Sequence, residues 1–365
     1  MVAGARAGRY PRQMEPLIVV GGGLLGCAVA HAAARGRSVT VLERAIIGAE
    51  ASSAAAGILA PRVEAHGREP LRSIGIESLD AWERWIRALG AGPDAVGYRR
   101  CGALVVRGSS GRGAASPDDP PDPEARWLPD ARARVPELAE GGAWWLPDEA
   151  VVDPRKVIPA ARAAAERAGV RIHACDPVVR VESGGVELAS GRFFRGEVVV
   201  CAGAWSAQVP GAPRVPVRPV RGQLVALEGV PLPTVVFGPG GYLVPRWDDA
   251  RVIAGATVEE AGFEKRVTAG GLHAVLDTAL RLAPGLARAS VAESWAGLRP
   301  GTPDEMPILG RVDGVWVASG HYRNGILLAP WTARTVADAV LDGAELPKSF
   351  GPERFLVPRD GDTGA

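Results

Sequence analysis

The segment LIVVGGGLLG, Leu17 to Gly26, joins a short apolar run to glycines at positions 21, 23 and 26. Between a strand and a helix this GxGxxG spacing brings backbone against a pyrophosphate. Gly21 permits the tight turn, Gly23 clears the approach to the phosphates, and Gly26 lets helix and strand pack closely. The helix start adds unpaired N–H groups and a partial positive charge. Glu43 follows about 20 positions later, at the end of the next apolar run, where a carboxylate accepts hydrogen bonds from a ribose diol. That acid disfavours NADP and leaves NAD and FAD open. The strand, turn, helix, strand and acid order favours dinucleotide binding over an ordinary glycine-rich turn.

A second anion-receptive turn lies far away in sequence. GHYRNG, Gly320 to Gly325, feeds the last predicted helix, whose first N–H groups also lack partners within the helix. Two such helix starts at opposite ends of the chain suggest one large cofactor touching both, which suits FAD better than a nicotinamide held by one contiguous half. Between them, the small-residue run GAEASSAAAGILAP, Gly48 to Pro61, has no apolar face. It reads equally well as backbone lying against a flat cofactor and as a flexible linker.

These motifs need elements to position them. Leu17–Val20 and Val39–Leu42 read as buried strands flanking a helix over 25–35 that stops at Gly36, the opening of a βαβ unit. Ile76, Leu79, Trp82, Trp85, Ile86 and Leu89 recur at helical spacing within 75–90. A further helix fits 154–168, strands fit 170–174, 178–182 and 197–201, and strands alternate with Pro/Gly turns from 215 to 258 as in an antiparallel sheet. A helix over 269–282 precedes a Pro/Gly-rich passage at 297–307, and a last helix stops at Gly343. Residues 1–16 read as a disordered tail, with Met14 as an alternative start. Residues 109–123 are too rich in Pro, Gly and Asp to pack and read as a mobile loop.

Composition narrows the function classes. The 365 residues carry 42 Lys+Arg and 41 Asp+Glu, a net charge of +1. With no basic block, nothing points to nucleic-acid binding by counterion release. No apolar run approaches the ~18 residues of a membrane helix, and there is no signal-peptide core, so the chain is expected in the cytoplasm. Cys27, Cys101, Cys175 and Cys201 have no paired spacing, and the five histidines form no metal motif, so neither a disulfide framework nor a metal site is expected.

Four segments in order, VVGGGLLG, ASSAAAGILAP, GYLVPR with GATVEEAGF, and WAGLRPGTPDEMPILG followed by GHYRNGILLAP, resemble the D-amino-acid oxidase, glycine oxidase and sarcosine oxidase family of flavoproteins. The likeness is nearest to the glycine oxidase branch linked to thiamine biosynthesis. It spans residues 17 to about 343 and implies a two-domain α/β fold. A Rossmann-like FAD-binding domain would come from 17–75, 150–215 and 295–346. A substrate domain on a mixed, largely antiparallel sheet would come from 76–149 and 216–294, with 347–365 as a C-terminal tail.

Carried over by position, the resemblance assigns FAD contacts to Gly21, Gly23, Leu24, Leu25 and Gly26, to Glu43 and Arg44, and to Ser52, Ala56, Gly57, Ile58 and Val178. Ala202 and Gly203, in a second glycine turn, join them, as do His321, Tyr322, Arg323, Asn324, Gly325, Ile326 and Leu327. It assigns the substrate carboxylate to Arg299 and Arg323, with Tyr242 completing the pocket. Gly240 and Val258 replace a histidine and a methionine of some relatives, a difference expected to change pocket volume. FAD is expected to be non-covalent, since no cysteine follows Cys201 to form a C-terminal thioether.

The implied reaction moves a hydride from the α-carbon of glycine, or of sarcosine or D-alanine, to flavin N5, with oxygen reduced to peroxide. The imine hydrolyses to an oxo acid and ammonia, or passes to a thiazole synthase as a functional partner. A homotetramer is carried over from the same resemblance. Arginine suits the carboxylate because its planar fork binds both oxygens. Arg299 has the alternative of pairing with Asp304 or Glu305. His321 reads as a turn residue touching cofactor through its backbone, and Trp295, Trp316 and Trp331 read as core. Competing functions are a sarcosine or D-amino-acid dehydrogenase or oxidase, a tRNA-modifying amine oxidase of the same fold, and a non-enzymatic nucleotide binder.

Overall fold

The computed structural model describes residues 15–65, 67–106 and 119–355. Residues 1–14, including Met14, residue 66, residues 107–118, which include 109–118 of the expected loop, and residues 356–365 lie outside them.

The first sheet has the order Ile308–Val312, Val315–Ser319, Glu197–Val200, Leu17–Val20, Val39–Leu42, Arg171–His173. Its neighbours are parallel except for the edge pair 308–312 with 315–319. Every residue of Leu17–Val20 and Val39–Leu42 is buried, as in parallel strands covered on both faces. Period two divides the packing. Leu17, Val19 and Val41 face a core shared with helices Leu24–Ala33, Pro154–Arg167 and Ala329–Asp342. Ile18, Val20 and Val198 face the small antiparallel sheet 178–182, 185–188 and 193–195. Asp153 caps helix Pro154–Arg167 by accepting from the Arg155 N–H. Gly343, at φ +71°, ends the last helix.

The second sheet runs Ser290–Gly301, Arg218–Glu228, Arg251–Gly255, Gly241–Arg246, Val235–Gly238, Ala103–Val105, Ala143–Leu146, Arg126–Leu128. It is antiparallel except between Val235–Gly238 and Ala103–Val105. Alternation sends Val225, Leu243 and Val252 toward helix Ala269–Leu282. Leu224, Val244 and Ile253 go to the opposite face. The two sheets match the expected α/β nucleotide layer and mixed, largely antiparallel substrate layer.

Several boundaries move. The helix expected at 75–90 spans Leu71–Ala88. Although assigned from residue 76 to the substrate domain, it joins the core of the first sheet, because Ser78 and Trp82 both donate to the Leu327 carbonyl, at 2.7 and 3.0 Å. Residues 295–301 belong to the second sheet, paired with Arg218–Glu228. Pro300 is tolerated there because this is an edge strand. The expected tail packs as far as Phe355: Phe350 is fully buried with its ring 5.9 Å from Trp331, and Arg354 binds Asp304 at 2.7 Å. Within the expected loop, Asp122 is buried and accepts from Arg72 Nε at 2.6 Å, so charge pairing overrides a composition that disfavours packing.

Candidate active site

A cavity of about 470 Å³ lies between the carboxyl ends of the parallel strands and the near face of the second sheet. At one end is the opening turn. Gly21 has φ +111°, and a Cβ there would meet the Cys201 carbonyl oxygen at 2.4 Å. A Cβ on Gly26 would lie 1.9 Å from the Gly21 carbonyl oxygen, so helix and turn close on each other only with glycine at both places. Gly23 caps the helix without a side chain, leaving its start facing the cavity. Ser52 reaches across and accepts from the Leu24 N–H at 3.0 Å.

Glu43 emerges from the end of Val39–Leu42 and accepts from the Gly22 and Ala45 N–H groups at 2.8 and 3.0 Å. Arg44 lies 3.9 Å over the Trp205 ring and pairs with Glu50 at 3.1 Å. Trp205 also lines the cavity. This end fits a dinucleotide: it offers a helix start whose cap residue, Gly23, carries no side chain, a carboxylate beside it, and a chain of small residues from Ala54 to Gly57 along the wall. Within the 48–61 run, Glu50 to Ser52 and Ala54 to Ile58 line the wall, and Ile58–Leu59 pairs with Ala150–Val151, so the run is ordered against the cavity and is not a linker.

The other end is polar and lies against the second sheet. Tyr242 stands opposite Gly255 in the pairing of Gly241–Arg246 with Arg251–Gly255. A Cβ at Gly255 would come within 2.9 Å of the Tyr242 ring. Arg299 crosses over Gly222 and donates from Nη1 to the Thr257 carbonyl at 3.1 Å. It pairs with neither expected acid, because Asp304 is taken by Arg354 and Glu305 by Arg68. Arg323 leaves the 320–325 turn with its guanidinium 5.3 Å from the Tyr322 ring. Burial holds the Tyr242 phenol above its ordinary range, with Arg299 pulling the other way, so it stays an O–H donor.

Beside these stands Glu64, at the end of the turn Pro61–Glu64. Burial pushes its carboxyl up to about 7 against the pull of Arg323, Arg299 and Arg68. Sequence reasoning passed over Glu64, although the ASSAAAGILAP segment ends only three residues before it.

Most of the expected contact residues line this cavity: Gly21, Gly23, Leu24, Leu25, Glu43, Arg44, Ser52, Ala56, Gly57, Ile58, Val178, Ala202, Gly203, His321, Tyr322, Arg323, Gly325 and Ile326, with Tyr242 and Arg299. Gly26, Asn324 and Leu327 do not. Gly26 serves helix packing, Asn324 is buried and its N–H donates to the His321 carbonyl, and the Leu327 carbonyl anchors Ser78 and Trp82. Neither Gly240 nor Val258 borders the cavity; Gly240 is a turn residue at φ +87° and Val258 is 53% exposed, so the expected effect on pocket volume does not arise directly.

Burial drives the His321 imidazole down to about 3. Its Nε2 bonds Thr332 at 3.0 Å, and its buried Nδ1 has no partner among the described residues. A neutral, fixed ring of this kind agrees with a positioning role and not with proton transfer. Trp295, Trp316 and Trp331 stay outside the cavity.

The family model described as "FAD dependent oxidoreductase" matches residues 16–339. The chain belongs to this family. FAD is accordingly its cofactor, and the helix start, Glu43 and the small-residue wall are groups that fit it. Among curated relatives of this FAD-dependent oxidoreductase, the bifunctional ThiO/ThiG protein of Synechocystis sp. is 36% identical over 93% of this chain and 54% of its own length. The glycine oxidase of Geobacillus kaustophilus is 33% identical over 88% of this chain and 92% of its own. The chain thus spans about half the length of the ThiO/ThiG proteins that it matches.

The crystal structure of glycine oxidase from Geobacillus kaustophilus superposes with TM-score 0.83 at 30% identity, covering 94% of this chain and all of that one. That of an iminodiacetate oxidase from Chelativorans sp. gives 0.81 at 30% identity, with coverage of 92% and 98%. No helix among the described residues is long and apolar enough to cross a membrane.

Proposed function

We propose that this FAD-dependent oxidoreductase oxidises glycine to glyoxylate and ammonia, with oxygen reduced to hydrogen peroxide. The observation that carries the reading is the convergence of Arg299, Arg323 and Tyr242 on the second-sheet end of the cavity. Two guanidinium groups and a phenol suit one small carboxylate. Opposite them, Gly21, Gly23, Leu24, Glu43 and Ser52 hold the dinucleotide end of FAD. When bound, the flavin supplies the hydride acceptor for the substrate α-carbon.

The chain's own contribution is placement. Arg299 and Arg323 grip the carboxylate, the Tyr242 hydroxyl donates to it, and the second sheet keeps bulk water from the reacting carbon. Holding a donor at near-attack distance contributes up to roughly 7–11 kcal/mol in favourable cases. No strong base is required once the amine is neutral.

Relatives that carry both the ThiO and ThiG names in one polypeptide support delivery of the imine product to a thiazole synthase. A cytoplasmic location and a homotetramer complete the reading; the latter rests on the family resemblance. Purified protein loaded with FAD is expected to be yellow and to form peroxide and glyoxylate in equal amounts from glycine. A protein that binds FAD but releases no peroxide with glycine, sarcosine or D-alanine would refute the proposal.

A further inference from the structure

The acids bordering the cavity among the described residues are Glu43, Glu50 and Glu64. The first two are engaged away from Arg299 and Arg323: Glu43 holds the Gly22 and Ala45 N–H groups, and Glu50 pairs with Arg44 and with Lys265 at 2.8 Å. Glu64 differs. No hydrogen bond from a described residue reaches its carboxylate, yet it lies within the electrostatic reach of both substrate-binding arginines.

The backbone beneath it is held firmly. Two residues earlier, Arg62 is buried and binds Glu124 at 2.7 Å and the fully buried Glu149 at 3.5 Å. Helix Leu71–Ala88 presses Gly75 against Pro61 so tightly that a Cβ at 75 would meet the Pro61 Cβ at 2.7 Å. A carboxylate that accepts no hydrogen bond from any described residue, on so fixed a turn, points to a ligand.

Glycine arrives as a zwitterion, its ammonium one carbon from its carboxylate. Once Arg299 and Arg323 take the carboxylate, the ammonium needs an anion within the same end of the cavity. We propose that Glu64 receives the substrate ammonium and accepts one proton from it, converting R–NH3+ and Glu–COO− into R–NH2 and Glu–COOH before the hydride leaves the α-carbon. This rests on the glycine-oxidising reading above.

Among the described residues, the charged and titratable groups facing Glu64 are Arg323 from the 320–325 turn, Arg299 from strand Ser290–Gly301, Arg68 from the loop after its own turn, and Tyr242 from strand Gly241–Arg246. Three cations favour the ionised form that greets the ammonium, while burial favours the neutral form left after transfer. The acceptor is thereby matched to work near neutral pH.

The test uses the FAD-loaded enzyme and its Glu64→Gln variant, with glycine and with acetate, which is glycine lacking the amine. The Kd for glycine comes from the concentration dependence of anaerobic flavin reduction, and that for acetate from the perturbation of the flavin spectrum. Loss of a charged contact predicts a rise of roughly 10- to 100-fold in the glycine Kd. Acetate binding should be unchanged or tighter. The acid limb of the reduction rate should also move up toward the pKa of the free amine, and Glu64→Asp should recover part of both effects.

Equal effects on glycine and acetate, or a pH profile in Glu64→Gln that overlays the parent, would overturn the proposal. A parent enzyme that oxidises no glycine and binds no acetate would instead sink the functional reading beneath it.

Discussion

The Arg299 guanidinium lies so close over Gly222 of the neighbouring strand that a Cβ at position 222 would stand 2.3 Å from Nη1. Gly222 is therefore part of how Arg299 is aimed. The obstructing atoms are the end of a flexible side chain, so the expected cost of a methyl group falls on aim and not on folding.

Gly222→Ala should accordingly raise the KM for glycine by about tenfold, the scale of one weakened charge-assisted hydrogen bond. Its Tm should stay near that of the parent. Peroxide kinetics together with calorimetry will separate this from a general folding defect, which would lower Tm and leave KM alone.

Arg323→Ala should raise the KM for glycine by roughly 10- to 100-fold, since hydrogen bonds to charged groups contribute about 1.5–3 kcal/mol. The measurement is steady-state peroxide release over a glycine series. An unaltered KM would remove Arg323 from carboxylate binding and return it to a structural place beside Tyr322.

Glu43 both borders the cavity and fastens the opening turn through the Gly22 and Ala45 N–H groups. Replacing it with alanine should weaken FAD binding by at least about tenfold. Fluorescence of FAD released on dilution reads this directly. Retention equal to the parent's would show that neither the turn nor the ribose depends on the acid.

Glu149 is fully buried, and neither carboxylate oxygen has a hydrogen-bond partner among the described residues. Burial pushes its carboxyl from 4.5 up to about 8, with Arg62 pulling down. Between those values the folded protein binds more protons than the unfolded chain, so this group's stabilising effect is complete at low pH and is lost as pH rises through the window. In Glu149→Gln the fall in Tm between pH 5 and pH 8, values inside or at the edge of that window, should be shallower than in the parent. A parallel fall in both proteins would count against the shift.

Phe350 is buried against Trp331 near the chain's end. Its replacement by alanine should cost about 3–5 kcal/mol of stability, as for other large buried rings. Denaturant titration will show the loss. A truncation before residue 347 that leaves stability unchanged would contradict this anchoring.

Much of the nucleotide half was legible in the sequence because its signals are local. The glycines at 21, 23 and 26, the buried strands around them and the acid at 43 each follow from a short stretch of chain. The β-strand and helix periods were also readable, and helix Ala269–Leu282 agrees with its expected range. Boundaries failed where a distant partner decides. Ser78 and Trp82 tie their helix to Leu327, 249 and 245 positions away, and no local pattern announces that. The Pro/Gly-rich passage at 297–307 gives no local strand signal, but the long pairing with Arg218–Glu228 makes its first residues, through Gly301, strand.

By itself, the sequence determined the opening βαβ unit and the glycines that admit a dinucleotide, because both follow from local periodicity and backbone sterics. Arg299 and Arg323 were singled out by the family resemblance, and strands Ala103–Val105, Arg126–Leu128 and Ala143–Leu146 carried no local signal. Only the tertiary structure decided which charges share one cavity. It engaged Asp304 and Glu305 with Arg354 and Arg68, left Arg299 beside Arg323, and set Glu64 among them. Electrostatic interaction depends on separation in space and on burial, and neither can be read along a chain whose contributing segments lie more than two hundred residues apart.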